Sequence, residues 1–494
     1  MPDHSLRGSL LLIAIYTTIC ITWVEFAHWV KATIIEATPN LPVEYHLDRW
    51  SMIAAAVPLA AILHLLIILL IRAIDRKKRG ILLESNGSDS LVNVVLAVFS
   101  AAFLALTALS GYRFDYRGYL PIWIDVLNGR DPWNYIHTIS PNAYGPLFNL
   151  LAPFVLYHPL ANKLLFAFAY LAYVIWLMKD FGPRRGFSIY SCPSTLLLLL
   201  NPLPWWQIAY LGHFDILVGL ACVAAVHWRV RNKDWLSGTC LAAGILLKFM
   251  PIVILPFLTF NGRRVHFRLV VSCIIAVISG FVVSVLVWGT STFKPLKFAA
   301  TREAMQSIYI VFDSTNSPLE LLGIANSQWL NWQRLAEPIL LIAGLGLYAW
   351  CTFRRTEPAL SSALAVLVTL LFYWVGWPHY QMVFFVLILY WVVSRWGRSN
   401  GDPLLVVLLG GYFSFLVILD LVIWIGDYGL FSRTNMVIIL LRFLTGCTLV
   451  VALLSQHERI LSPSDRYKKS PDGWRSSLPL SHRVVKAHQG SLDT

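Results

Sequence analysis

Residues 267–289 read FRLVVSCIIAVISGFVVSVLVWG, and after Arg268 no charged side chain appears until Lys294. A helix needs about 20 mostly apolar residues to cross the hydrocarbon core of a bilayer, and this stretch supplies them. Similar runs extend outward in both directions. They fall at about 8–30, 50–73, 91–110, 145–178, 188–202, 213–229 and 236–260 on one side, and at about 336–352, 359–376, 379–395, 403–425 and 434–454 on the other. Several are short or broken by Pro, so the pattern predicts about 11 to 14 crossings of an all-α, polytopic membrane protein. Over 494 residues the chain is 57% hydrophobic and 13% charged, with mean hydropathy +0.64. A soluble domain of that balance would expose more apolar surface than soluble monomers tolerate.

The net charge of +13 does not point to nucleic acid, because Lys and Arg lie in short loops between apolar runs and not on one basic face. That placement follows the positive-inside rule. Arg72, Arg76, Lys77, Lys78 and Arg79 form the strongest cluster between helices and are expected in the cytoplasm. The loop 111–145 after the third span then lies outside. If 236–260 is a hairpin turning near Lys248, the clusters at Arg229–Lys233, Arg263–Arg268, Arg354–Arg355 and Arg395–Arg398 all fall inside. The segment 145–178 is overlong for one helix, and 145–157, with Pro146 and Pro153, reads as a partial span. The expected organisation is two N-terminal helices with a basic cytoplasmic loop (1–90), a catalytic membrane domain (91–455) and a disordered basic tail (456–494). The seven Cys form no Cys-x-x-Cys pair, which argues against a disulfide framework. The run from Leu10 to Val30 is too long for a signal-peptide core and reads as a retained helix.

The loop after the third span is the richest in polar groups: Gly111-Tyr-Arg-Phe-Asp-Tyr-Arg-Gly-Tyr-Leu120, then Asp125 to Trp133, then Asn142 to Leu147. Asp115 lies just beyond an apolar span, where a carboxylate can meet a head group whose lipid tail stays in the bilayer. It could act as a general base on an attacking hydroxyl. The plainer alternative is an interfacial Asp paired with Arg113 or Arg117. Asp125 is the reserve candidate, while Asp131, before a Pro, reads as a turn residue.

The sequence Asp115-Tyr-x-x-Tyr, Leu-Asn-Gly129-Arg-Asp-Pro-Trp133 and Tyr144-Gly-Pro-Leu147 resembles the first outer loop of membrane glycosyltransferases with the GT-C fold. It is most similar to polyprenol-phosphate-mannose-dependent α-mannosyltransferases and to the GPI mannosyltransferases. The resemblance continues in Asn201-Pro202 through Gly212-His-Phe-Asp215, in Ala243-Gly-Ile-Leu-Leu-Lys-Phe-Met-Pro251, and in Trp374-Val-Gly-Trp-Pro-His-Tyr380, spanning roughly 91–395. It implies that Asp115 deprotonates an acceptor hydroxyl, which attacks the anomeric carbon of a sugar on a polyprenyl phosphate with inversion. The implied partners are that lipid-linked donor, a glycolipid or glycan acceptor, and the bilayer. The implied place is the extracytoplasmic face of the plasma membrane.

The leaving phosphate needs fixed cationic or hydrogen-bonding groups. Lys248 stands in an apolar run, where an ammonium is costly unless paired or snorkelling. His379 matches a donor-phosphate position, though a lone His in an aromatic loop is often structural. Arg117 suits bidentate phosphate recognition or simple anchoring. His213 and Asp215 open a helix and could bind sugar hydroxyls, with capping as the alternative for Asp215. Tyr116, Tyr144 and Tyr380 share these motifs and are assigned with them to substrate contact. No cofactor is expected, and carboxylates and His are too scattered along the chain to suggest a binuclear metal site. The competing readings are a secondary transporter or lipid flippase, which would favour internal repeats, and a ligase that transfers whole oligosaccharides.

Overall fold

The computed structural model describes residues 88–133, 142–181, 201–260, 264–302, 304–313, 317, 319, 332–395, 403–425 and 432–460. The expected spans at 8–30 and 50–73, the cluster Arg72–Arg79, most of 188–202 and the tail beyond Ile460 lie outside them. The chain divides into units 1–447 and 448–494; of the second, the described part is helical. Among the described residues there is no strand, only the isolated bridges Phe260–Val265 and Met305–Val375.

The longer helices are α1 (Ser88–Leu109), α2 (Phe114–Leu127), α3 (Ala161–Phe181), α4 (Asp215–Val230), α5 (Asp234–Leu247) and α6 (Phe267–Trp288). They continue with α7 (Trp332–Arg354), α8 (Pro358–Phe372), α9 (Gln381–Arg395), α10 (Pro403–Ile425) and α11 (Arg433–Ile460). Their bounds follow the apolar runs because in lipid the backbone must satisfy its own hydrogen bonds. Among the described residues, three helical stretches, Phe267–Ala299, Arg334–Arg354 and Arg433–Ser455, are long and apolar enough to cross a membrane. Shorter apolar helices accompany them. The protein is thus an all-α, multi-pass membrane protein. On α6, Ile274, Ile275, Ile278, Val282 and Val283 are exposed, an apolar face suited to lipid.

The strained part of 145–178 resolves into two single-turn helices, Pro146–Asn149 and Ala152–Val155, ahead of α3. The Pro at each start explains the break. α4 and α5 form an antiparallel hairpin. Asp215 and Lys248 stand at one end and Arg229, Arg231 and Lys233 at the other, about 21–24 Å away at 1.5 Å per residue. The basic end is tied together by Arg229 Nε, which donates to the Leu258 carbonyl at 2.7 Å, and by His266 Nδ1 at 3.0 Å from Asp234. After α5 the backbone turns extended at Lys248 (φ −157°, ψ 130°) and returns through the 3-10 turn Met250–Ile254, so the chain does reverse near Lys248.

α2 is amphipathic. Tyr116, Tyr119, Ile122 and Trp123 are buried at helical spacing, and Trp123 Nε1 donates to the Phe148 carbonyl at 3.1 Å. Tyr119, Tyr144, Phe148 and Phe214 form one aromatic cluster, with ring centroids 4.5–5.8 Å apart, which anchors α2 and the segment 144–148 to the start of α4. The loop is pinned further by the Gly145 N–H, which donates to the Leu247 carbonyl at 3.1 Å. A Cβ on Gly145 would stand 2.2 Å from the Leu246 carbonyl oxygen, which is backbone and cannot step aside. Gly145→Ala should therefore cost about 1–3 kcal/mol as overpacking, read as a lowered melting midpoint in detergent; an unchanged midpoint would show that the two segments are not in contact.

Candidate active site

Four segments converge at one end of the bundle. Asp115 is the second residue of α2, in the first turn, where a helix favours an anion. His213 follows a π-helical turn, Trp205–Tyr210, and its N–H donates to the Gln207 carbonyl at 2.8 Å. Gly212 between them has φ +79°, and a Cβ there would meet Tyr116 and Lys163 at 3.0–3.1 Å, so glycine is required on both counts. His379 sits in the 3-10 turn Pro378–Tyr380 that leads into α9. The fourth segment, Arg302 and 304–308, lies beside that turn. The Met305 N–H donates to the Trp374 carbonyl and the Gly376 N–H to the Met305 carbonyl, both at 2.9 Å.

Asp115 Oδ2 is 2.6 Å from His213 Nε2 and 3.9 Å from His379 Nδ1, and the two imidazole centroids are 4.4 Å apart. Asp115 is therefore paired with histidines. Arg113 lies instead over the Tyr210 ring, 5.3 Å from its centroid, and donates Nε–H to the Ser110 carbonyl. The Asp115 side chain is 29% exposed while His213 is 5% and His379 10%, so a substrate can reach the group through the carboxylate.

The scatter of His and carboxylate along the sequence hid this grouping, whose ligand atoms all lie within 4.8 Å of one another and could take a cation. Two ligand atoms each about 2.0–2.2 Å from one ion stand about 3 Å or more apart. The 2.6 Å contact is shorter and has the length of a strong, charge-assisted hydrogen bond.

Beside the triad, Lys248 Nζ donates to Asp215 Oδ1 at 2.6 Å and stands 3.7 Å from the Tyr380 ring centroid. Asp215 is fully buried, so it neutralises a buried ammonium and does not act as a cap: the α4 N-terminus has no side-chain cap bond. Tyr144 closes this group, with Lys248 Nζ 6.0 Å from its ring. Burial, and then the charge of Asp115, push the Tyr144 phenol well up, so it stays protonated.

Two further candidates lie on α2 next to Asp115. Tyr116 is turned into the core: its hydroxyl donates to the Pro159 carbonyl at 2.6 Å and accepts the Lys163 N–H, because it lies on the buried face of α2. Arg117, one residue on, is exposed. Asp125 is buried beside Arg130, and Asp131 is the turn residue expected, accepting the Trp133 N–H at 2.9 Å.

Three basic residues escaped the sequence reading. Arg302, which lies over the Phe298 ring and donates to Met305 Sδ, is close enough to act electrostatically on Tyr380, His379 and Lys248. Lys163 is fully buried, and its Nζ donates to Ser110 Oγ, the Gly111 carbonyl and the Tyr210 carbonyl at 2.6–2.9 Å, stapling the segment before Asp115 to the one before His213. Arg442 pairs with Asp420. For Lys163 and Arg442 the signal was present, since a cation within an apolar run has a reason to be there.

No curated protein matches the sequence. Residues 142–378 match the model of Glycosyltransferase family 87; Asp115 precedes that range and His379 is the first residue after it. Over the stretch that carries Tyr144, His213, Asp215, Lys248 and Arg302, the chain is therefore similar to membrane glycosyltransferases, and the match supports a glycosyltransferase.

Proposed function

We propose that this protein is an inverting, GT-C-type hexosyltransferase. It moves a hexose, mannose in the first instance, from a polyprenyl-phosphate sugar to a glycolipid or glycan acceptor at the extracytoplasmic face of the plasma membrane. The observation that carries the reading is the partly open carboxylate of Asp115, clamped by His213 at the end of a bundle of apolar helices. Lys248, Arg302, His379 and Tyr380 gather beside it.

In the proposed step the acceptor hydroxyl gives its proton to Asp115 as its oxygen bonds to the anomeric carbon. The bond from that carbon to the phosphate oxygen breaks on the opposite face, and its electron pair leaves with the polyprenyl phosphate. Asp115 supplies general-base catalysis. His379 and Arg302 meet the charge that develops on the leaving oxygen, with the Lys248 ammonium beside them. Tyr144 borders the sugar, while Asp215 and His213 hold Lys248 and Asp115 in place. Charge supports this face: Arg229, Arg231 and Lys233 lie at the far end of the α4–α5 hairpin, which the positive-inside rule assigns to the cytoplasm.

The test is transfer by purified protein in proteoliposomes, supplied in turn with radiolabelled polyprenyl-phosphate mannose and a nucleotide-activated mannose. Label should pass from the lipid-linked donor alone. Transfer only from the nucleotide sugar, or no transfer with ion-driven uptake instead, would overturn the reading. Arg302→Ala should raise KM for the lipid-linked donor about tenfold, the loss of one charge-assisted contact, with a smaller change in the acceptor KM. An unchanged donor KM would remove Arg302 from the phosphate site.

A further inference from the structure

Behind His213 a chain of buried polar side chains runs into the bundle. His213 Nδ1 is 2.6 Å from Gln207 Oε1, and Gln207 Nε2 donates to Asp420 Oδ2 at 3.3 Å. Arg442 pairs with Asp420 through NH2 and donates from NH1 to Gln306 Oε1 at 3.2 Å. Gln207, Asp420, Arg442 and Gln306 are all buried. Asp420 lies on α10 and Arg442 on α11, beyond the residues that match the glycosyltransferase model. Gln306 belongs to the segment that pairs with Trp374–Gly376, just before His379. The chain therefore leaves the active site at His213 and ends at Gln306, in the segment whose backbone is bonded to Trp374 and Gly376.

The polarity of this chain is fixed by its end. A carboxylate facing a guanidinium can only accept hydrogen bonds, so Gln207 must turn its NH2 toward Asp420 and its oxygen toward His213. His213 Nδ1 must then carry a proton. Nε2 faces an oxygen of Asp115 at 2.6 Å, and two lone pairs do not approach so closely without a proton between them.

We propose that Gln207, Asp420 and Arg442 form a positioning relay that holds His213 with a proton on Nδ1 and so requires a second, shared proton between Nε2 and Asp115 Oδ2. This inference rests on the role of Asp115 proposed above. The relay makes the ring a cationic clamp on Oδ2 and leaves Oδ1 as the oxygen that takes the acceptor's proton. It also gives α10 and α11 a part in catalysis through Gln207 and His213.

Two variants test this without touching Asp115 or His213. In Asp420→Asn the new side chain keeps its oxygen on Arg442 and offers its NH2 to Gln207. Gln207 then flips, donates to Nδ1 and drives His213 into the opposite, neutral tautomer. Gln207→Leu removes the acceptor outright and leaves Asp420 and Arg442 paired, should Asp420→Asn fold poorly. Each variant should lower kcat about 10–100-fold, the usual cost of losing a partner that orients a histidine, with donor KM little changed; the melting midpoint should stay near native in Gln207→Leu and fall in Asp420→Asn, which leaves the buried Arg442 without its counter-charge. Combined with His213→Gln, Gln207→Leu should add no further loss, because residues acting through one group do not add.

Native kcat in Gln207→Leu, or losses that add to those of His213→Gln, would overturn the relay. So would activity that a chelator abolishes and a divalent cation restores, which would place an ion where the shared proton is assigned. Asp115→Asn separates the levels. If it is inactive while Gln207→Leu is fully active, only the relay fails; if it is active, the catalytic reading fails as well.

Discussion

Asp115→Asn should lower kcat by about 10²–10⁴-fold, the range supplied by a positioned general base, while donor binding and the melting midpoint stay close to native. The substitution keeps the shape of the side chain, and an amide oxygen can still accept the proton that His213 Nε2 presents at 2.6 Å. What disappears is the basic oxygen. The geometry makes this specific to position 115, because the reserve candidate Asp125 is buried beside Arg130. Asp125→Asn should retain transfer. Single-turnover kinetics on both variants would separate chemistry from binding, and a native rate in Asp115→Asn would remove the proposed base.

The second large effect is expected at Lys248. Lys248→Met leaves the fully buried Asp215 without its counter-charge, and breaking a buried pair from one side costs about 3–5 kcal/mol. Stability should return largely in the double variant Lys248→Met/Asp215→Leu, since replacing both members of a buried pair by apolar groups is close to neutral. Transfer should not return with it, because the ammonium that lies 3.7 Å from the Tyr380 ring is also part of the cationic side of the site. Melting and kcat/KM measured on the same preparations distinguish the two roles. Recovery of both together would make Lys248 a structural residue only.

The fold was legible because lipid imposes one rule on the whole chain, and apolar runs mark where helices form. The bounds at 403–425 and the reversal near Lys248 came directly from that pattern, as did the broken segment at 145–157. The candidate site was legible only as separate residues. Asp115 meets His213 across 98 positions of sequence, and Lys248 meets Asp215 across 33; no local pattern encodes such pairings. Tyr116 shares a motif with the substrate-contact residues. The spacing of Tyr116, Tyr119 and Trp123 already held the signal that α2 buries that face. Arg302 had no such signal: it lies in a polar segment where an arginine is ordinary, and only the pairing of Met305 with Trp374 and Gly376 brings it to Tyr380. Gln207 had no such signal either, since it stands between aromatic and apolar neighbours, Trp205, Trp206 and Ile208.

The most direct measurement is a cryo-EM structure of Asp115→Asn in nanodiscs with an intact polyprenyl-phosphate sugar, trapped because the base is missing. The expected density places the phosphate against Arg302, His379 and Tyr380 and the anomeric carbon toward residue 115, with room for one hydroxyl between. A donor phosphate seated at the Arg229–Lys233 end, or a sugar turned away from residue 115, would contradict the assignment.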